Sequence, residues 1–226
     1  QRQMCIRDRI RGVKMKNLLV IFGGVSCEHE VSVITGVMTA NSLSAKYNVY
    51  PIYVDERGEW HTGDNLKNLN WYKTKDFDSV VKVTVNAGDD TLYRLKNGKL
   101  KKICRADAAI NCSHGLNGED GTLAGLMKLS NIAFASPEMF SSSLSMDKYY
   151  TKLVLKGIGV DTLPYVKLNR DNYIKRGELA EKYVSKTLDY PVIVKPANLG
   201  SSIGISVAKS EKDLKLSLIH ISEPTR

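Results

Sequence analysis

Residues Asn17–Gly24 read NLLVIFGG, a short continuous apolar run closed by two glycines. A run apolar throughout is the pattern of a strand covered on both faces of a parallel sheet, and the glycine pair marks a tight turn at its end. Glu28-His29-Glu30 then opens a segment in which Val31, Ile34, Val37 and Met38 recur at helical spacing. Ser26 is the expected N-cap, and acidic residues in the first turn suit the helix dipole. Val49–Val54 (VYPIYV) reads as a second strand, with Pro51 arguing for a sheet edge.

Further out, Asn65–Gly98 is polar and turn-rich, with short β-like pieces at Val80–Val85 and Thr91–Leu95. Ala108–Cys112 (AAINC) is another buried strand, Ser113–Gly121 a glycine-rich loop, and Thr122–Leu129 a helix. Strand, turn, helix and strand in this rhythm predict a doubly wound parallel α/β domain, residues 15–135. Ligands of such sheets bind beyond the carboxyl ends of the strands, where Gly23–Glu28 and His114–Gly121 fall.

The character changes around Ser136-Pro137. A helix near Met146–Lys156, an extended Pro164–Lys167, a charged helix near Glu178–Thr187 and a strand at Pro191–Val194 follow. Gly200–Gly204 (GSSIG) makes a turn before Ile205–Ala208. Residues 136–215 are thus expected to form a second, α+β unit that is incomplete.

Both ends look foreign. Gln1–Arg9 (QRQMCIRDR) and Leu216–Arg226 (LSLIHISEPTR) can be encoded by DNA that forms an inverted repeat. ATGTGTATAAGAGACAG in the first is the reverse complement of CTGTCTCTTATACACAT in the second. The repeat resembles the transposon end used in sequencing libraries, so residues 1–14 and 216–226 are set aside as adapter-derived tails, with Met15 the expected start. Residues 1–14 carry five basic residues and one acid, so +5 of the formal +9 remains without them. That modest excess suits an anionic small molecule as well as a nucleic acid, and no nucleic-acid motif or aromatic interleaving accompanies it. No apolar run reaches the roughly 18 residues of a membrane span. Cys5, Cys27, Cys104 and Cys112 show neither CxxC pairing nor metal-ligand spacing, which fits a reducing cytoplasm.

Four strings carry chemistry. His114–Gly121 (HGLNGEDG), extended through Leu123 and Gly125, places a histidine at a strand end with glycines that let the backbone approach a ligand. Gly23–Ser32 (GGVSCEHEVS) is neither a Walker A loop nor a GxGxxG fingerprint. Its Glu28 is either a helix-capping carboxylate or a receptor for an ammonium group. Ile193–Gly204 (IVKPANLGSSIG) sets Lys195 at the end of a strand, before a loop whose N–H groups at Gly200, Ser201 and Ser202 form a candidate anion nest. A hairpin with an exposed lysine is the other reading. Ser143–Lys148 (SLSMDK) adds Lys148 in the first turn of a helix, where a cation opposes the dipole unless an anion joins it.

Together and in this order, the strings resemble the D-alanine–D-alanine ligase family of the ATP-grasp superfamily, over nearly all of residues 15–215. The resemblance implies an ATP-dependent carbon–nitrogen ligase of peptidoglycan synthesis, with a pre-ATP-grasp domain followed by an incomplete ATP-grasp domain. It implies that Glu28 binds the amino group of the first D-alanine and that His114 lies beside the reacting carboxylate and phosphate. Lys148 and Lys195 would contact ATP phosphates. Ser201 would link to the glutamate, and the turn with Gly200, Ser201, Ser202 and Gly204 would cover the phosphates. The first carboxylate attacks the γ-phosphate, and the second amine displaces phosphate from the acyl phosphate. In this family the Mg2+ ligands and adenine pocket come from a C-terminal third expected beyond Lys215, so the chain is expected to be an inactive fragment. D-alanine–D-lactate and D-alanine–D-serine ligases remain alternatives, as does a non-catalytic nucleotide-binding fragment. The expected partners are D-alanine and ATP, with no nucleic acid or membrane, a cytoplasmic location and a homodimer at full length.

Overall fold

A computed structural model describes residues 15–222, and they divide into two compact units between Ser143 and Leu144. Of the tails expected at 1–14 and 216–226, residues 1–14 and 223–226 lie outside the described residues.

In the first unit, β1 (Asn17–Gly23) pairs in parallel with β2 (Asn48–Val54) on one side and β7 (Ala108–Asn111) on the other, and β8 (Phe134–Ala135) extends the parallel half. Helix α1 (His29–Leu43) connects β1 to β2, and α3 (Thr122–Leu129) connects β7 to β8. The alternation of β1 feeds two cores. Leu19 and Ile21 pack with Ile52, Ala109, Leu123 and Met127, whereas Val20 and Phe22 pack with Val33, Val37, Ala40 and Tyr53. The two helices therefore cover opposite faces, as doubly wound sheets require. Each such fully buried side chain contributes roughly 1.5–3 kcal/mol of transfer free energy.

Three features depart from the sequence reading. The sheet is mixed: β3 (Trp60–Thr62), β4 (Val81–Asn86), β5 (Asp89–Lys96) and β6 (Lys99–Arg105) continue it antiparallel from β2. A short helix, α2 (Trp71–Thr74), lies between β3 and β4. Second, β2 is internal although it carries Pro51. Its ladder with β3 begins at Ile52↔Thr62, so the missing N–H falls beyond that ladder, and the Thr62 hydroxyl donates to the Pro51 carbonyl at 2.8 Å. Third, α1 turns a different face inward. Val31, Ile34 and Met38 are exposed, while Ser32, Val33, Gly36, Val37 and Ala40 are buried. Close packing selects this face, because a Cβ at Gly36 would lie 2.1 Å from the Phe22 ring.

Helix α4 (Met139–Met146) spans the division. The second unit holds α5 (Lys148–Gly157), α6 (Arg170–Thr187, with a non-helical Arg176), an antiparallel pair β9 (Val192–Val194) and β10 (Ser206–Ala208), and α7 (Glu211–Ser222). Its core is small: Val184, Val192, Ala208, Leu214 and Leu218. Helix α7 runs past Lys215, where the folded unit was expected to stop. Leu214 and Leu218, four residues apart, share its buried face, while Leu216 is exposed.

Candidate functional site

Both first-unit motifs sit at the carboxyl ends of the adjacent parallel strands β1 and β7. The glycine turn after β1 is held from several sides. Gly23 and Gly24 have φ of 87° and 106°, and a Cβ at Gly23 would fall 2.2 Å from the Val54 carbonyl oxygen. Gly24 N donates to that oxygen at 2.7 Å, and Gly23 N donates to Ser32 Oγ at 2.7 Å. Ser32 Oγ in turn donates to the Cys112 carbonyl at 2.9 Å, tying the turn to the second motif.

Ser26, the expected N-cap, lies two residues before the cap position, which Glu28 takes. Its Oγ accepts from Glu28 N at 3.1 Å, and its carbonyl accepts from His29 N at 3.1 Å. Glu28 occupies the cap position, yet its carboxylate accepts no capping bond from α1.

The 114–121 loop is a dense knot of local bonds. Glu119 Oε2 accepts from Gly115 N at 2.8 Å, and Asn111 Nδ2 donates to the Gly118 carbonyl at 2.8 Å. Asp120 accepts from Asn117 N at 2.8 Å and Thr122 N at 3.0 Å, one on each carboxylate oxygen. Burial raises the Asp120 pKa, but these N–H donors outweigh it and hold the carboxyl below its ordinary value. Gly115 has φ of 69°, and a Cβ there would lie 2.4 Å from Ser26 Oγ and 2.9 Å from Glu28 Oε2. The residue after His114 thus packs directly against the Glu28 carboxylate. His114 itself is half-buried, with Nε2 3.3 Å from Thr35 Oγ1 of α1.

The second unit carries the other candidates. Asp147 caps α5, accepting from Tyr149 N at 2.8 Å and Tyr150 N at 3.1 Å. Lys148, the first residue of α5, donates through Nζ to the carbonyls of Leu199 (2.6 Å) and Ala197 (3.3 Å), so it grips the loop between β9 and β10 from below. Lys195 follows β9 directly and is exposed. Ser201 and Ser202 have φ of 48° and 60°, with Ile203 N bonded to the Gly200 carbonyl at 3.0 Å, which makes a type I′ turn. Gly204 follows at φ of 70°.

Among the described residues, Asp55, Glu59 and His61 are the one group of three with metal-ligand atoms close together. They lie on the β2–β3 hairpin and are already satisfied. Asp55 Oδ1 accepts from Arg57 N and Glu59 N, Oδ2 lies 3.3 Å from His61 Nε2, and Glu59 pairs with Lys82. The set reads as a hairpin lock. Cys104 and Cys112 are buried, which pushes their thiols up, and Cys27 is exposed; Cys5 lies outside the described residues. No described helix is long and apolar enough to cross a membrane.

Sequence reasoning missed Ser32, Thr35 and His29. All three stand in or just after the first motif, one turn apart along α1, where polar residues on an inward face are the available signal.

The family model described as D-ala D-ala ligase N-terminus matches residues 17–137, and that described as D-ala D-ala ligase C-terminus matches residues 154–223. A D-alanine–D-alanine ligase of Staphylococcus epidermidis is 38% identical over 201 residues, covering 88% of this chain and 54% of the relative. The crystal structure of the D-alanine–D-alanine ligase from Helicobacter pylori superposes with a TM-score of 0.75 at 32% identity, over 92% of this chain and 62% of that one. The VanG D-Ala:D-Ser ligase from Enterococcus faecalis gives 0.75 at 29% identity, over 91% and 59%. The chain spans about half the length of the curated relatives it matches. With residues 17–137 of its first unit matched by the N-terminal model, and that match alone covering more than half of the sequence, the chain belongs to the D-alanine–D-alanine ligase family.

Proposed function

We propose that the whole protein joins two D-alanines at the expense of ATP, for peptidoglycan and hence cell shape, and that the first unit holds the first amino acid. The observation that carries this is the close fit of Gly115 against the Glu28 carboxylate, where a Cβ would lie 2.9 Å from Oε2. In support, the acid suited to an ammonium group stands against the residue that follows a histidine suited to a carboxylate or phosphate. An amino acid offers that pair of charges across one carbon.

In this reading Glu28 receives the ammonium of the first D-alanine, and His114 stands by its carboxylate while that oxygen attacks the γ-phosphorus and ADP leaves. The amine of the second D-alanine then attacks the acyl carbon, loses a proton and expels phosphate. Lys148, Lys195 and the N–H groups of Gly200, Ser201, Ser202 and Gly204 would neutralise ATP phosphates, and Ser201 would order the amino-acid pocket. Charge neutralisation and positioning are the main contributions a protein makes to such a transfer. Mg2+ supplies further neutralisation in this chemistry. The satisfied Asp55–Glu59–His61 lock does not fit that role, so the metal ligands are assigned outside the described residues. The proposed setting is the cytoplasm, with a homodimer at full length.

The D-Ala:D-Ser specificity of the Enterococcus faecalis neighbour, which superposes as well as the Helicobacter pylori enzyme, favours one second reading: D-serine as second substrate. The test is phosphate release with ATP and Mg2+ by a form of the protein that spans the length of its relatives. Turnover with D-alanine alone supports the main reading. Turnover only when D-serine or D-lactate is added moves the assignment to those substrates, and silence with all three refutes the ligase reading.

A further inference from the structure

His29 lies in the first motif, one residue after Glu28, and the reaction just described does not use it. Its side chain is only 13% exposed. Nδ1 lies 2.6 Å from the Gly24 carbonyl oxygen, which can only accept, so Nδ1 carries a proton. Nε2 faces the Tyr53 hydroxyl at 3.1 Å and Glu56 Oε1 at 3.7 Å. Glu56 is itself held by Lys75, and Tyr53 Oη reaches Glu56 Oε2 at 3.4 Å. Burial, with Glu56 and Asp55 nearby, pushes the Tyr53 phenol up, so it remains a hydrogen donor. Whether Nε2 accepts from Tyr53 or donates to Glu56, the Nδ1–H bond to Gly24 is the same.

We infer that His29 is a positioning residue for the amino-acid site: its ring braces the Gly23–Gly24 turn against β2 and thereby fixes where Glu28 presents its carboxylate. The turn has no side chains of its own to hold it. Gly23 is gripped by Ser32 and Gly24 N by Val54, which leaves the Gly24 carbonyl as the point where the chain leaves the sheet for Glu28. The imidazole supplies the bond at that point. This rests on the reading of Glu28 as the ammonium receptor.

Two measurements test it. The first uses the 226-residue chain with 15N-labelled histidine, assigning His29 by its loss in His29→Asn. Nδ1 should be protonated even when the ring is neutral, the minority tautomer of a free imidazole; a neutral ring protonated on Nε2 alone overturns the brace. The second uses the form that spans the length of the relatives. His29→Leu should raise KM for the first D-alanine about 10- to 100-fold, the scale of a small misplacement of a reacting group. KM for ATP and kcat should stay within about threefold, the same order as the His29→Asn variant, whose amide nitrogen can replace the Nδ1 donor and should restore KM. Equal losses for ATP and D-alanine, or no rescue by His29→Asn, overturn the positioning role. No turnover by the unsubstituted enzyme refutes the ligase reading instead, and the tautomer measurement still decides the brace.

Discussion

The two glycine turns that carry the motifs are built in opposite ways. Gly23–Gly24 is buried in partners: a hydroxyl from Ser32, a carbonyl from Val54 and an imidazole from His29. Every residue from 197 to 205 is exposed, and the turn at Gly200–Gly204 is tethered at its base by Lys148. The units differ likewise. The first wraps two faces of an eight-stranded sheet, whereas the second rests on five buried apolar residues and an α5 that buries none. An amino acid, small and fixed in its charge spacing, calls for a rigid receptor; a phosphate chain is served by cations and N–H groups that can reach it. Under the proposed function, precision falls to the first unit and charge to the second.

The contrast breaks most readily at the small core. Leu214→Ala should destabilise the second unit by about 3 kcal/mol, because Leu214 is 1% exposed and little surrounds it to close the cavity. Leu216→Ala, at 61% exposure on the same helix, should cost no more than about 0.5 kcal/mol. Equal effects in thermal melts would mean that α7 is not phased as described across the Lys215–Leu216 junction. In the first unit, Gly36→Ala forces a Cβ into the Phe22 ring and should cost about 2 kcal/mol, read as a lower midpoint in urea. A neutral result there would show that the helix stands further from the sheet.

Smaller effects sharpen the picture. Asp147→Ala removes the cap of α5 and should cost about 1 kcal/mol in the second unit alone. Asp120 gives the smallest signal. Its pKa is depressed in the fold, so its contribution is complete above the unfolded value of about 3.9 and is lost as pH falls through the lower folded value. Protection of the Asn117 and Thr122 amides, taken relative to their intrinsic exchange, should therefore fall in acid, and Asp120→Asn should abolish that dependence; protection that does not change with pH would deny the carboxylate its role in the loop.

Much of this was legible in the sequence. β1 and α3 fall where the apolar run and the helical spacing put them, because burial on both faces leaves an unbroken apolar signature. The helix face was not legible: Ser32 and Gly36 face inward because of one hydroxyl bond and one close approach, neither of which hydrophobic spacing records. β6 escaped for the opposite reason. As an edge strand it carries Lys99, Lys101 and Lys102, residues that guard an edge and hide a strand. The site followed the same rule. Glu28 and His114, the proposed site residues, stand out by motif, whereas the contacts of His29 and Thr35 depend on geometry that only the folded chain supplies.

The most direct test of the central claim, that Glu28 beside the 114–121 loop receives the amino group of the first D-alanine, is a D-alanine saturation curve for Glu28→Gln in a form that spans the length of the relatives. A hydrogen bond to a charged group is worth about 1.5–3 kcal/mol, or roughly 10- to 150-fold in affinity. KM for the first D-alanine should rise by that factor while KM for ATP holds. An unchanged D-alanine KM in a folded Glu28→Gln enzyme would contradict the assignment.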